Sequence, residues 1–370
     1  MGLRATLRKI NHPAPTRKQK TYKSEFYSIN SILGNQDSIF YLLLGGRQCG
    51  KSYAVMDWAI KQKLKKGDQC KFYWCRLTES ALKNLLANNA DKLVDPDLKR
   101  KYHLNLTRKN TSIYSYTPYT YTNRNGKEIH QKKNVKEFCE LMAASTFYNN
   151  KGVGFFDKDF TGQYIIVLDE FERESSEKNS FDIVYNFTNM IENLVRNTKT
   201  NIKVFMCGNT LDEASDLLAA FNFIPDQFGR YKLKSKRCVI DYIAPNEQYK
   251  KMREGSIANI LMPGASTFTN EVQLDHSILC NKRLAQHPVA IIKFSKDSED
   301  WFTVWNNNII KQYNKETLPQ VIAMRRYLDS QYDLQLVKTV FDIFDSKGYL
   351  FTNLATFKRF QKQLRLLKKN

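Results

Sequence analysis

The segment Gly45-Gly46-Arg47-Gln48-Cys49-Gly50-Lys51-Ser52 reads G-x-x-x-x-G-K-S and lies between an apolar run, Ile39-Phe40-Tyr41-Leu42-Leu43-Leu44, and a stretch with helical spacing. A phosphate-binding P-loop needs a strand before it and a helix after it, so the segment commits the chain to an α/β fold. Its glycines let successive backbone N–H groups point inward at a β-phosphate, and the helix N-terminus adds a partial positive charge. Gly45, Gly46, Arg47, Gln48, Cys49 and Gly50 are expected to form the cradle. Lys51 is expected to reach the β and γ oxygens of ATP, and Ser52 to ligate Mg²⁺.

A second site follows from the run Tyr164-Ile165-Ile166-Val167-Leu168, which closes on Asp169-Glu170. Unbroken apolarity is the pattern of a strand buried on both faces. The segment reads as a Walker B strand, with Asp169 holding Mg²⁺ through its water shell and Glu170 polarising the attacking water. Downstream, Phe181, Val184, Thr188, Ile191 and Val195 recur at helical spacing, and Arg196 closes the last turn, where the dipole favours a cation. The strand Ile202-Lys203-Val204-Phe205-Met206-Cys207 ends in Gly208-Asn209. A polar side chain such as Asn209 can there contact the γ-phosphate or the attacking water, or cap the loop.

Charge narrows the class of partner. Lys and Arg number 58 against 37 Asp and Glu, a formal net charge of +21, which points to a polyanion. The segment before Ser24 carries Arg4, Arg8, Lys9 and Arg17 among its cations and no acid, and no acid follows Asp345. Such ends suit a phosphate backbone contacted without regard to sequence, solubilising tails being the other reading. No apolar stretch approaches the roughly 20 residues that cross a bilayer, and the N-terminus lacks the apolar core of a secretory signal, which leads to the expectation of a cytoplasmic protein. Seven cysteines without a C-x-x-C pair suggest buried or reduced thiols and no structural metal.

Between the two sites, Cys70-Lys71-Phe72-Tyr73-Trp74-Cys75 reads as a strand followed directly by Arg76, and 78–95 as helical. Residues 104–130, rich in Thr, Tyr and Asn with an Asn125-Gly126 turn, read as a hairpin inserted on the α/β core. Lys232, Lys234, Lys236, Pro245, Pro263 and Gly264 mark a change of composition expected of a connection. The chain is thus divided into a basic extension 1–26, a P-loop domain 27–230 with a mainly parallel sheet, a linker or lid 231–265, and a smaller α+β domain 266–370. In the last, 289–294 and 301–305 read as paired strands and 319–370 as mostly helices. Its acids, among them Glu271, Asp275, Asp297 and Asp300, have no spacing suited to a two-metal site.

The order of these segments resembles the phi29-like phage DNA-packaging motor ATPases. The likeness takes in Gly45-Gly46-Arg47, 145–151, Asp169-Glu170-Phe171-Glu172-Arg173-Glu174, 221–226, 294–298 and 348–353. It implies an ASCE-type P-loop domain with an RNase H-like C-terminal domain lacking nuclease activity, and ATP with Mg²⁺ as cofactors. It also implies a homo-oligomeric, pentameric ring on the portal of a phage procapsid, in the cytoplasm of an infected bacterium, that translocates double-stranded DNA. Residue by residue, the resemblance makes Lys51 and Ser52 the phosphate and Mg²⁺ ligands, Asp169 the Walker B acid and Glu170 the catalytic glutamate. Arg196 becomes a finger donated in trans and Lys151 a second trans-acting cation. Two rival classes share the motor core, a helicase-type ATPase and a large terminase with an active nuclease.

Overall fold

The computed structural model describes residues 27–34, 37–46, 49–146, 160–171, 182–195, 201–209, 216–225, 227–244, 276–280, 288–294, 300–306, 308–313, 324–327 and 334–367, with a few single residues between them. The chain divides into two units, Met1–Thr210 with Gln227–Val272 and Leu211–Asp226 with Gln273–Asn370.

The first unit contains α1 (Asn30–Leu33), β1 (Phe40–Leu44), α2 (Lys51–Lys66), β2 (Cys70–Arg76), α3 (Glu79–Ala90), α4 (Pro96–Lys101), β3 (Asn105–Lys109), β4 (Ser112–Thr122), β5 (Glu128–Ala143), β6 (Gln163–Asp169), α5 (Ile183–Val195), β7 (Asn201–Gly208), β8 (Gly229–Leu233) and β9 (Cys238–Tyr242). The strands form one sheet in the order β3-β4-β5-β2-β6-β7-β1-β9-β8. Every pairing from β5 to β9 is parallel, while β3, β4 and β8 add antiparallel edges. An additional strand, β7, stands between β1 and β6, the arrangement expected of an ASCE-type domain.

Burial explains the central strands. All seven residues of β6 are buried, as are the last four of β1 and the last six of β7, so these strands read as apolar runs rather than alternations. Over one face, Val55, Met56, Ala59 and Ile60 of α2 pack with Tyr41, Leu43 and Phe205. The helix ends in Lys63, Lys65, Lys66 and then Gly67 at φ 55°, cations on the negative end of the dipole and a glycine where the backbone turns left-handed.

Three expectations need correction. The hairpin forms, with Asn123 Oδ1 accepting from the N–H groups of Asn125 (3.0 Å) and Lys127 (2.9 Å) and Gly126 at φ 72°, but it is no insertion beside the core. Its second strand, β5, continues until Glu140–Ala143 pairs in parallel with Tyr73–Arg76 of β2. Nor is 231–265 a linker from its start, since β9 is buried throughout and pairs with β1. Residues 211–226, read as part of the P-loop domain, belong to the second unit.

That unit holds α6 (Asp216–Ala220), β10 (Ala290–Lys293), β11 (Trp301–Trp305), β12 (Ile309–Tyr313), β13 (Met324–Tyr327), α7 (Leu334–Asp345), β14 (Leu350–Phe351) and α8 (Leu354–Leu367). Its sheet runs β13-β10-β11-β12-β14, with β10 and β11 paired as the sequence suggests, in antiparallel sense. Phe360 of α8 is fully buried and meets Phe294 and Phe302 edge-on, each at 5.1 Å. Arg359 donates to Ala219 O (3.1 Å) and pairs with Asp300 (2.9 Å). Among the described residues no group of three or more His, Cys, Asp or Glu is arranged to hold a metal. Glu271, Asp275 and Asp297 lie outside them. All seven cysteines are buried and unpaired.

Glu140 sits where β5 enters the core, and burial pushes its carboxyl up to about 7, with Glu137 adding and Lys71 opposing. A folded-state value above the ordinary 4.5 favours folding at low pH and loses that contribution as pH rises through about 7. Replacing Glu140 with Gln should therefore raise the melting temperature by a few degrees at pH 8 and change it little near pH 4.5, a contrast that thermal melts at the two pH values will read.

Candidate nucleotide-binding site

The carboxyl ends of β1, β2, β6 and β7 lie along one edge of the sheet, where ligands bind in open α/β folds. Register brings them level: Leu43 pairs with Cys207, Cys207 with Asp169, and Leu168 with Cys75, the residue before Arg76. From β1 the chain passes through Gly45 and Gly46 to Cys49, then through Gly50 at φ 92° into α2. Only glycine takes that conformation without strain, and it turns the first N–H groups of the helix toward the loop. Arg47 and Gln48 lie outside the described residues.

Lys51 is buried, and its Nζ donates to Gly45 O and Gly46 O at 2.8 Å each, with Cys49 Sγ at 3.5 Å. Two carbonyls at the start of the loop thus hold the ammonium. Ser52 Oγ donates to Asp169 Oδ1 at 2.6 Å. A hydroxyl and a carboxylate side by side at the mouth of a backbone cradle are hard oxygen donors and suit Mg²⁺ with phosphate oxygens completing its shell.

Asp169 is only 5% exposed. Burial pushes its carboxyl up from the ordinary value, while Arg76 and the Ser52 hydrogen bond pull it down. Arg76 Nη2 lies 3.1 Å from Asp169 Oδ2, and Nη1 of the same guanidinium pairs with Glu170 Oε2. The Glu170 backbone is left-handed at φ 57°, a conformation that costs a non-glycine residue roughly 1–2 kcal/mol. The turn is held from beyond: Phe171 N–H donates to Cys207 O at 3.2 Å, and a Cβ on Gly208 would lie 2.7 Å from the Phe171 ring. The result swings the Glu170 side chain, 63% exposed, toward Arg76.

The structure therefore brings together Gly45, Gly46, Cys49, Gly50, Lys51, Ser52, Asp169 and Glu170. Asn209 follows β7 directly, one residue beyond Gly208, which pairs with Leu44 at the entrance of the P-loop. Lys151 and Arg196 lie outside the described residues. The residue to which the sequence assigns no role is Arg76. Its one signal is position, a cation directly after a buried strand.

No family model and no curated protein matches the sequence. Among solved structures, the Phi-28 gp11 DNA packaging motor is 14% identical, with a TM-score of 0.56 over 93% of this chain and 97% of that one. The chain has the fold of a phage DNA-packaging motor. The resemblance carried by the sequence motifs thus extends to the backbone. At lower TM-scores stand the N-terminal domain of the DNA packaging ATPase from bacteriophage phi29, 21% identical, covering 59% of this chain and 96% of that one at 0.43, and a large terminase from a thermophilic bacteriophage in complex with ATP-gamma-S, 13% identical, covering 86% and 71% at 0.33.

Because one guanidinium serves both carboxylates, Arg76→Gln should leave Asp169 buried without that cation and raise its carboxyl further. A raised folded-state value costs stability as the pH rises from the ordinary carboxylate value through the raised one, and the cost is complete above it. The loss should reach about 3 kcal/mol at pH 8 and be smaller at pH 5. Denaturant titrations giving the same loss at both values would refute this account of the pairing.

Proposed function

We propose that this protein is the ATPase of a viral genome-packaging motor, which hydrolyses ATP to translocate double-stranded DNA into a procapsid. The observation that carries the reading is the joining of Lys51, Ser52, Asp169, Arg76 and Glu170 at the carboxyl edge of a sheet whose fold is that of a packaging motor. The formal charge of +21 supports a polyanionic partner held through its backbone.

In this reading Lys51 exchanges its two carbonyl partners for β- and γ-phosphate oxygens. Mg²⁺, when bound, neutralises charge developing between those phosphates. Ser52 and Asp169, already hydrogen-bonded to each other, would hold it. Glu170 is the group that takes the proton from the attacking water. While paired with Arg76 it is turned aside from that task, so hydrolysis requires the guanidinium to release it. Asp169 holds the same guanidinium, so the two carboxylates share one cation.

Arg196 and Lys151 are assigned as cations donated in trans to the neighbouring subunit, and Asn209 as the polar group that senses the γ-phosphate. The assembly is a homo-oligomeric ring, pentameric, seated on a portal in the cytoplasm of the infected host. The C-terminal unit is an RNase H-like domain without nuclease activity.

Replacing Lys51 with Ala should abolish nucleotide binding, because it removes a phosphate ligand. Glu170→Gln should bind nucleotide normally and lose about 10²-fold or more in turnover, because it removes only the base. Equal loss of binding in both, measured with a fluorescent nucleotide and a phosphate-release assay, would contradict the role assignment.

The trans assignment makes a different demand. Arginine fingers contribute roughly 10³ to 10⁵ in rate, so Arg196→Ala subunits should bind ATP and hydrolyse it slowly. Mixing them with Glu170→Gln subunits should restore turnover at interfaces where an intact Arg196 faces an intact Glu170. Absence of rescue in assembled rings would leave Arg196 a helix-capping residue.

A further inference from the structure

Among the described residues of the first unit, the outer part of the β4–β5 hairpin is an exposed ribbon. From Thr117 to Thr120 and from His130 to Glu137 every residue is exposed. A two-stranded ribbon open to water on both faces is marginal by itself. This one persists because β5 continues into the core and because register shifts between Ile113 and Tyr114 and between Ser115 and Thr117 add twist at its base. Its free part, 117–122 paired with 128–133, extends roughly 20 Å at about 3.4 Å per residue.

What it presents is chemically one-sided. Between Thr117 and Glu137 stand Arg124, Lys127, Lys132, Lys133 and Lys136, against Glu128 and Glu137. Lys133 Nζ lies 3.2 Å from the centroid of the Tyr119 ring, and Lys132 Nζ lies 5.0 Å from that of Tyr116 and donates to Thr107 Oγ1 at 2.6 Å. The two lysines are adjacent in β5 and so point to opposite faces, each ammonium steadied over an aromatic ring. Tyr119 is itself 41% exposed, with Tyr121 at 5.7 Å.

We propose that the β4–β5 ribbon is a grip on the phosphate backbone of a B-form duplex, entering a groove with Lys132 and Lys133 directed to opposite phosphate walls. The major groove of B-DNA is about 12 Å wide and admits a two-stranded ribbon, whereas that of duplex RNA is too narrow and deep. A single strand would need bare ring faces on which to stack its bases. Here ammonium groups cover a face of Tyr116 and of Tyr119. The inference rests on the packaging reading and adds to it the segment that touches DNA.

The test uses the full chain and a labelled mixed-sequence DNA duplex. Two ribbon variants, Lys132→Gln/Lys133→Gln and Arg124→Gln/Lys127→Gln, are compared with Lys83→Gln/Lys92→Gln, which removes the same charge elsewhere. Each lost phosphate contact makes the plot of log affinity against log salt shallower by about 0.9. Each ribbon variant should therefore lose about 1.8 in slope, and its fall in affinity between about 50 and 200 mM salt should shrink roughly tenfold. The control should keep the wild-type slope, and thermal melts should coincide, since all these side chains are exposed.

If the wild-type protein binds the duplex and both ribbon variants keep its slope, the ribbon is not the grip, although the packaging reading stands. Failure of the wild-type protein to bind duplex DNA at any salt would remove the packaging reading and this inference together. Tighter binding to an RNA duplex of the same length would overturn the choice of B-form DNA. A change of oligomeric state in sedimentation with an unchanged salt slope would make the ribbon a contact between subunits instead.

Discussion

Asp169 ends a strand whose seven residues are all buried, so its carboxylate leaves water at the edge where the sheet should meet solvent. Unpartnered, such a charge costs several kcal/mol. Its partners come from two other elements, the Arg76 guanidinium from the end of β2 and the Ser52 hydroxyl from the first turn of α2. Meeting that demand fixes β2 beside β6 and brings α2 over β6 and β7. It also fixes register, because a slip of one residue would carry Asp169 to the other face of the sheet. The geometry of the candidate site is to this extent the solution to a burial problem.

The P-loop is supported from behind by residues far away in sequence. Tyr27 N–H donates to Cys49 O at 2.9 Å, and its hydroxyl donates to buried Asp241 at 2.8 Å, which also pairs with Arg230 at 2.9 Å. Ile243 N–H donates to Leu44 O at 2.8 Å, and a Cβ on Gly45 would lie 3.2 Å from Ile243 Cβ. The glycine at position 45 thus answers a packing need. The strand that supplies Asp241 and leads to Ile243 is the one that a composition of lysines and prolines suggests to be a linker.

That contrast shows what was legible. The P-loop, the carboxylate strand and β7 announce themselves because each is a local pattern: a fixed glycine spacing, or an apolar run long enough to be buried on both faces. The paired strands β10 and β11 are legible for the same reason. β9 is hidden because its five residues Cys-Val-Ile-Asp-Tyr include an acid and follow a basic cluster, and partners elsewhere in the chain, Tyr27 and Arg230 among them, help to make Asp241 tolerable there. The core half of β5 is hidden by its other half, an exposed polar strand whose character dominates any window drawn across it. Arg76 could be located but not interpreted, since its two partners lie more than 90 positions downstream and nothing near it in sequence marks them.

β5 also joins the two functional regions. One strand carries Lys132 and Lys133 in its exposed half and ends at Ala143, paired with Arg76. Side chains along a strand alternate with a period of two, so a slip of β5 against β4 would exchange the faces on which the two lysines stand. The same slip would move Ala143 out of register with Arg76, whose guanidinium holds Asp169 and Glu170. The buried run Phe138-Cys139 and Leu141–Ala143 prevents it, because sliding by one residue would send Glu140 into the packing around Ile113 and Phe72. The core segment of β5 therefore sets the register of the exposed ribbon and the position of the arginine together.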